Sequence, residues 1–223
     1  MRRFFYLISQ SMKAFNRNEI ADMEKVFRLN LINSISGYKA ANLIGTKGKV
    51  ANNLAIFSSV IHLGSNPPLL GMICRPATVP RHTLSNIEEN GVYTINHISE
   101  EMHHRAHYTS AKFQEHESEF EQCNFKEEYL LNCDAPFVKG SPIKMEMEWK
   151  ENIPIKLNGT ILVIGEIKNI YLNEGIIQEN GQLDLNHAKI VCISGLNRYH
   201  KVEEIGHYPY ARREELPDFS DIP

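Results

Sequence analysis

Apolar and polar positions along residues 53–76, "NLAIFSSVIHLGSNPPLLGMICRP", set the first expectation. Apolar runs at 54–63 and 69–74 predict two core strands joined by the turn Gly64-Ser65-Asn66-Pro67-Pro68. Asn53, Ser58 and Ser59 break that pattern, and polar groups inside an apolar segment need partners. Alternation with period two predicts strands at Phe27-Arg28-Leu29-Asn30-Leu31 and at Ile143, Met145, Met147 and Trp149. In the second of these, Lys144, Glu146 and Glu148 face the other way, as in a half-buried strand of an antiparallel sheet. "GTILVIGEIKNIYL" (159–172) predicts a longer strand with Gly165 at a bulge or close backbone approach, and "AKIVCISG" (188–195) predicts another. Turns at Asn158-Gly159, Glu174-Gly175 and Asn180-Gly181 favour a mostly antiparallel barrel over a βαβ repeat.

Two short helices interrupt the strands. "PRHTLSNIEENG" carries Leu84 and Ile87 and ends on Asn90-Gly91, with Pro80 and His82-Thr83 at its start. "SEEMHHRAHYTSAKF" predicts a helix with Ser99 as N-cap and Glu100 and Glu101 in its first turn, where the helix dipole favours anions. The charges between Lys112 and Glu128 predict an exposed, irregular connection.

Composition narrows the classes. A length of 223 residues, 42% of them hydrophobic, suffices to bury a sizeable core, and with no repeat or Pro/Gly/Ser-rich linker a single domain over 1–223 is expected. A net charge of −3 without a Lys/Arg block argues against nucleic acid as a partner. The opening "MRRFFYLISQ" has too short an apolar run for a signal peptide and reads as part of the mature domain; no segment approaches the ~18 apolar residues that span a bilayer, so a membrane is not expected as a partner. Cys74, Cys123, Cys133 and Cys192 lack metal or disulfide spacing and suit a reducing cytoplasm as small buried hydrophobes.

Three stretches offer chemistry. His103 and His107 stand four apart on one helix face, a zinc-compatible spacing, but no recognisable further ligands complete the site, and solvated surface histidines are the better reading. "GTKGK" (45–49) fails as a phosphate loop, because Leu43 stands where its first glycine is needed and Val50 where a hydroxyl is needed; it reads as a turn between strands. No G-x-G-x-x-G occurs, so a Rossmann-type nucleotide site is unsupported. The third is residues 53–60 with "RPATVPRHT" (75–83). An incompletely paired strand edge bearing Ser58 and Ser59 can hydrogen-bond a planar polar ligand, while Arg81 and Thr83 at a helix start make a phosphate site. Composition alone favours the plainer reading, in which the serines bond only to neighbouring backbone and Arg81 is a surface charge.

"NLAIFSSVIHLGSNPP" resembles, without a gap, the N-x-A-P-F-S-x-F-x-x-x-S-x-D-P-P pattern of the flavin reductase-like, FMN-binding split-barrel family. "RPATVPRHTLSNIEENGVYTIN" is similar to that family's basic-x-Thr-x-x-Asn-Ile segment, and weaker similarity falls at 106–113, at Gly165-Glu166 and around Tyr199. The resemblance implies a mostly β fold with short helices, an FMN-binding split β-barrel, usually a homodimer with FMN near the interface. It implies FMN ring and ribityl contacts at Asn53, Leu54, Ala55, Ile56, Ser58 and Ser59, and phosphate contacts at Arg75, Arg81, His82 and Thr83. Ile56 stands for the family's Pro, Asn66 for its Asp and His82 for an acid; a neutral or protonated His82 removes a repulsion beside the phosphate.

The function implied is a flavin reductase-type oxidoreductase in which NAD(P)H delivers hydride to flavin and the electrons pass to a partner oxygenase, oxygen or another redox protein. The alternative is an FMN-binding electron-transfer or flavin-holding protein without efficient NAD(P)H chemistry. No side chain is nominated as general acid or base, because the cofactor carries the reaction.

Overall fold

The computed structural model describes residues 12–76 and 81–220; the signal-like opening and Pro80 lie outside the described residues. Strands β1 (Lys39–Ala40), β2 (Asn42–Thr46), β3 (Asn53–Phe57), β4 (Ile61–Ser65), β5 (Pro68–Cys74) and β6 (Val92–His97) lead into β7 (Glu127–Glu128) and β8 (Phe137–Val138). Two long strands follow, β9 (Ile143–Ile155) and β10 (Thr160–Leu172), then the short β11 (Cys192–Ser194) and β12 (Arg198–His200). The helices are α1 (Arg17–Asp22), α2 (Lys25–Ile35), α3 (His82–Asn90), α4 (His103–Tyr108) and α5 (Glu119–Gln122).

Seven strands form one antiparallel sheet in the order β3-β2-β6-β9-β10-β5-β4. Consecutive β3 and β4 thus sit at opposite edges, and the sheet must curl for residues 58–60 to join them. The link is stitched by Ser59, whose hydroxyl accepts the Ile73 N–H (3.0 Å) and donates to the Ile73 carbonyl (3.2 Å). Extending the Ile61↔Gly71 register by two residues puts Ser59 opposite Ile73, so its side chain continues the ladder beyond the end of β4. The barrel interior holds Ile44, Met72, Ile87, Tyr93, Ile95, Met147 and Val163. A second core, with Leu43, Leu54, Ile98, Ala106, Phe120 and Val138, packs α4 and α5 outside β2, β3 and β6.

Several expectations hold. Met145 and Met147 point inward on β9 and pair with Ile95 and Tyr93. Gly165 sits at a register shift against β9, and a Cβ there would lie 2.2 Å from the Tyr93 hydroxyl oxygen, so both readings of that glycine apply. Gly91 ends α3 in the left-handed conformation at φ 70°. In the "GTKGK" stretch Gly45 and Thr46 end β2, and residues 47–49 lie in the turn to antiparallel β3.

Others are corrected. Residues 27–31 are helical, not a strand: the Glu24 carboxylate accepts from Val26 N (2.8 Å) and Phe27 N (2.9 Å) and starts α2. Five alternating residues do not outweigh that cap, and the helix leaves Phe27 53% and Ile35 75% exposed. Residues 53–76 make three strands, because Ser58 to Val60 turn the chain between sheet edges. Within 188–195 only Cys192–Ser194 are strand, with Ile190 in a single bridge to Ser99. That bridge holds Ser99 extended, so α4 starts at His103 rather than from a Ser99 cap. The charged connection contains α5, with Glu119 and Phe120 buried.

All four cysteines are free thiols. No helix among the described residues is long and apolar enough to cross a membrane.

Candidate flavin site

The site residues converge where the edge strand β3 meets the start of α3. Among the described residues strand β3 pairs only with β2. Its Leu54 N–H turns away from β2 and donates to Glu119 Oε2 at 2.9 Å. Antiparallel pairing alternates, so the Ile56 N–H and C=O point to the same unpaired edge, opposite the Leu43 pairing. The family pattern has Pro here, which lacks that donor. Ser58, at the end of this edge, is half-buried and has no side-chain partner among the described residues. Ala55 and Ile56 are half-buried, whereas the Leu54 side chain is fully buried in the second core, leaving only its carbonyl for a ligand.

Helix α3 supplies the other half. Arg81 occupies its N-cap position without a side-chain cap, and the first intrahelical amide is Ser85 N, which donates to the Arg81 carbonyl at 3.0 Å. The amides of residues 82–84 therefore have no partner among the described residues, in a first turn where the helix dipole adds positive potential. The Arg81 side chain donates through Nε to the carbonyl of Pro76, the residue after the exposed Arg75, at 3.3 Å. A guanidinium and unpartnered amides at one helix start are the groups that can receive an anion.

Asn53 and Thr83 join the halves. Thr83 Oγ1 donates to Asn53 Oδ1 at 2.7 Å, and both residues are buried. The Asn53 amide nitrogen donates to both Glu119 oxygens, each at 2.8 Å. The Asn53 side chain is thus spent on the protein, and Thr83 spends its proton on Asn53, leaving its backbone amide and oxygen lone pairs. His82 is half-buried and lines, with Lys49, Asn52 and Ser85, a cleft of about 400 Å³. A larger cavity of about 770 Å³, lined by His97, Asp184, Leu185, Val202 and His207, contains none of these groups.

Glu119 is the residue that reading the sequence misses. Burial pushes its pKa up from the ordinary carboxylate value, opposed chiefly by the Leu54 N–H and then by its own backbone N–H, the Asn53 amide and the nearby His82. All three side-chain contacts are donors to it, the bonding of an ionised, acceptor-only carboxylate.

The histidine pair is engaged otherwise. His103 and His107 pack around Tyr199 with ring centroids 5.6 and 5.8 Å away, and His107 Nδ1 lies 3.2 Å from the Tyr199 hydroxyl. His103 Nδ1 lies 2.6 Å from the Glu100 carbonyl. Among the described residues no group of three or more His, Cys, Asp or Glu could hold a metal ion.

Comparison with known proteins agrees with this architecture. A crystal structure of a candidate flavin reductase with a split barrel domain from Shewanella frigidimarina NCIMB 400 is 45% identical; the match covers 90% of this chain and 100% of that one, with a TM-score of 0.86. Nitrilotriacetate monooxygenase component B from Bacillus cereus (21% identical, TM-score 0.79) is covered over 100% of its chain and 90% of this one. Flavoredoxin of Desulfovibrio vulgaris (Miyazaki F) (23%, TM-score 0.68) is covered over 92% of its chain and 78% of this one; both show the shared fold. Residues 39–189 match the family model of the flavin reductase like domain, and the chain belongs to that split-barrel family.

Proposed function

We propose that this chain binds FMN and acts as an NAD(P)H-dependent flavin oxidoreductase. One observation carries the reading: the start of α3, with Arg81 at its N-cap and no side-chain cap, stands beside an edge strand whose Ile56 amide has no strand partner among the described residues. The donor set fits the cofactor. Edge N–H and C=O groups suit the polar rim of an isoalloxazine, a free Ser58 hydroxyl suits the ribityl chain, and amides with arginines suit a phosphate dianion.

Bound flavin would supply hydride and electron transfer. The protein's part is binding and orientation. Ile56 would present its backbone to the ring, with Leu54 contributing its carbonyl and Ala55 the flanking wall. Arg75, Arg81, His82 and the first amides of α3 would neutralise the phosphate. Ser59 fixes the turn that follows, through Ile73, and so sets where Ser58 points. No proton-transfer side chain is required at the ring.

The full reading is one cytoplasmic domain over 1–223 that works as a homodimer, takes electrons from a nicotinamide donor and hands them to a partner oxygenase, oxygen or another redox protein. The likeness to a monooxygenase component B supports the oxygenase among these acceptors. Purifying the protein and recording its visible spectrum, then titrating FMN, FAD and riboflavin into apoprotein, tests the cofactor. Saturable binding with FMN tightest is expected, and no binding of any flavin would refute it.

A further inference from the structure

Glu119 is an ionisable side chain at 5% exposure that the flavin reading does not use directly. It comes from α5, a four-residue helix held against the start of β3 by Ser118 Oγ, which donates to the Asn52 carbonyl at 2.7 Å. From there its carboxylate takes the Asn53 amide on both oxygens and the Leu54 N–H on one. Asn53 in turn takes the Thr83 hydroxyl, one residue into α3 from its first residue, His82. A continuous chain of hydrogen bonds therefore runs from α5 through the edge strand to the start of α3. Taking a carboxylate out of water is costly, and a Gln or a hydrophobe would serve packing alone. What the carboxylate adds is acceptor capacity for three N–H contacts with no donor of its own.

We propose that Glu119 is a positioning residue of the flavin site, holding β3 and the start of α3 in one register so that ring and phosphate contacts are presented together. This rests on the flavin reading given above. Without Glu119, Leu54 N–H loses its acceptor, and the Asn53 amide is free to rotate away from Thr83. The unpaired edge carrying Ile56 and Ser58 would then shift relative to the amides of α3. Asn86 and Asn90 tie the later turns of α3 to Thr46 and Lys47, whereas this chain of bonds links the start of α3 to β3 itself, so both halves should feel the change.

The test measures FMN and riboflavin affinity of apoprotein well below its unfolding midpoint. Glu119→Gln turns one acceptor into a donor facing the Asn53 amide or Leu54 N–H, and should weaken FMN by about tenfold or more and riboflavin by a smaller factor. Thr83→Val cuts only the link to α3 and should lower FMN affinity while leaving riboflavin near wild type. Because both act along one chain, Glu119→Gln/Thr83→Val should bind FMN about as weakly as Glu119→Gln alone, a non-additivity that separate roles would not give. A Glu119→Gln protein with a lowered unfolding midpoint but unchanged affinity for both flavins would make Glu119 purely structural and overturn the proposal, as would strictly additive losses. If Glu119→Gln does not fold, Thr83→Val decides: an FMN-to-riboflavin ratio equal to wild type overturns it. Wild-type protein that binds neither flavin would instead sink the flavin reading, a distinguishable result.

Discussion

The Thr83 hydroxyl donates to Asn53 Oδ1 at 2.7 Å across thirty residues of sequence, fastening the first turn of a helix to the end strand of a sheet. The contact explains why an asparagine and a threonine can stand in an otherwise apolar neighbourhood: each satisfies the other, and Glu119 completes the set. It also divides the labour. Asn53 and Thr83 build the frame, while Ser58, the Ile56 backbone, Arg75 and Arg81 keep groups free for a ligand.

Arg81→Ala should therefore discriminate between flavins. Losing a charge-assisted bond to phosphate costs on the order of 1.5–3 kcal/mol, about tenfold to a hundredfold or slightly more in FMN affinity. Riboflavin has no phosphate and should bind the variant nearly as well as wild type. Titration of both ligands decides: equal losses point to damaged folding, and an unchanged FMN affinity removes Arg81 from the site.

Much of this was legible from local sequence. The inward methionines of β9 and the close approach at Gly165 follow from period two and from a glycine inside a strand. The Asn53 segment is legible because polar groups interrupt an apolar run there, and Arg81 because it stands at the start of a helix. Glu119 did not, because it lies in a tract of exposed charge and owes its burial to donors 65 and 66 residues earlier in sequence. Helix α2 is hidden in the sequence for the opposite reason. Its short alternating run belongs to a helix with no buried residue, so no core-facing stripe exists to show the helical period.

Gly165→Ala should destabilise the barrel. The new methyl would meet the buried Tyr93 hydroxyl at 2.2 Å and ring carbons at 3.0 and 3.1 Å, and overpacking of this kind costs about 1–3 kcal/mol. At roughly 2–4 °C per kcal/mol for a chain of this size, thermal unfolding should fall by several degrees. Adding Tyr93→Phe should recover part of the loss, since the ring carbons remain. An unfolding midpoint equal to wild type in Gly165→Ala would show that the barrel wall yields there.

Acid should weaken the fold through His97. Burial pulls its pKa from 6.5 down to about 4, although Asp184 and Glu204 share its cavity, and its Nδ1 has no partner. The unfolded chain binds that proton first, so this contribution is present above about pH 6.5 and is lost as pH falls toward about 4, on the order of 3 kcal/mol in all. Denaturant unfolding of wild type and His97→Gln across this range should show a shallower pH dependence in the variant. Parallel curves would mean that His97 does not carry it.

Among the described residues no strand pairs with the outer side of β3 or β4; α5 covers only the start of the β3 edge, and β4 carries the exposed Ile61 and Leu63. Bare edges and apolar side chains of this kind call for cover. A homodimer is the expected state, with a light-scattering mass twice the 25.6 kDa of the chain. A monomer that keeps full FMN would contradict it.

Anaerobic addition of NADH, and separately of NADPH, to the FMN-loaded protein tests the proposed reaction most directly. The oxidised flavin absorption should bleach at a catalytic rate with at least one of the two donors and return when oxygen is admitted. A protein that holds FMN tightly yet stays oxidised with both donors would contradict the reductase reading and leave a flavin carrier in its place.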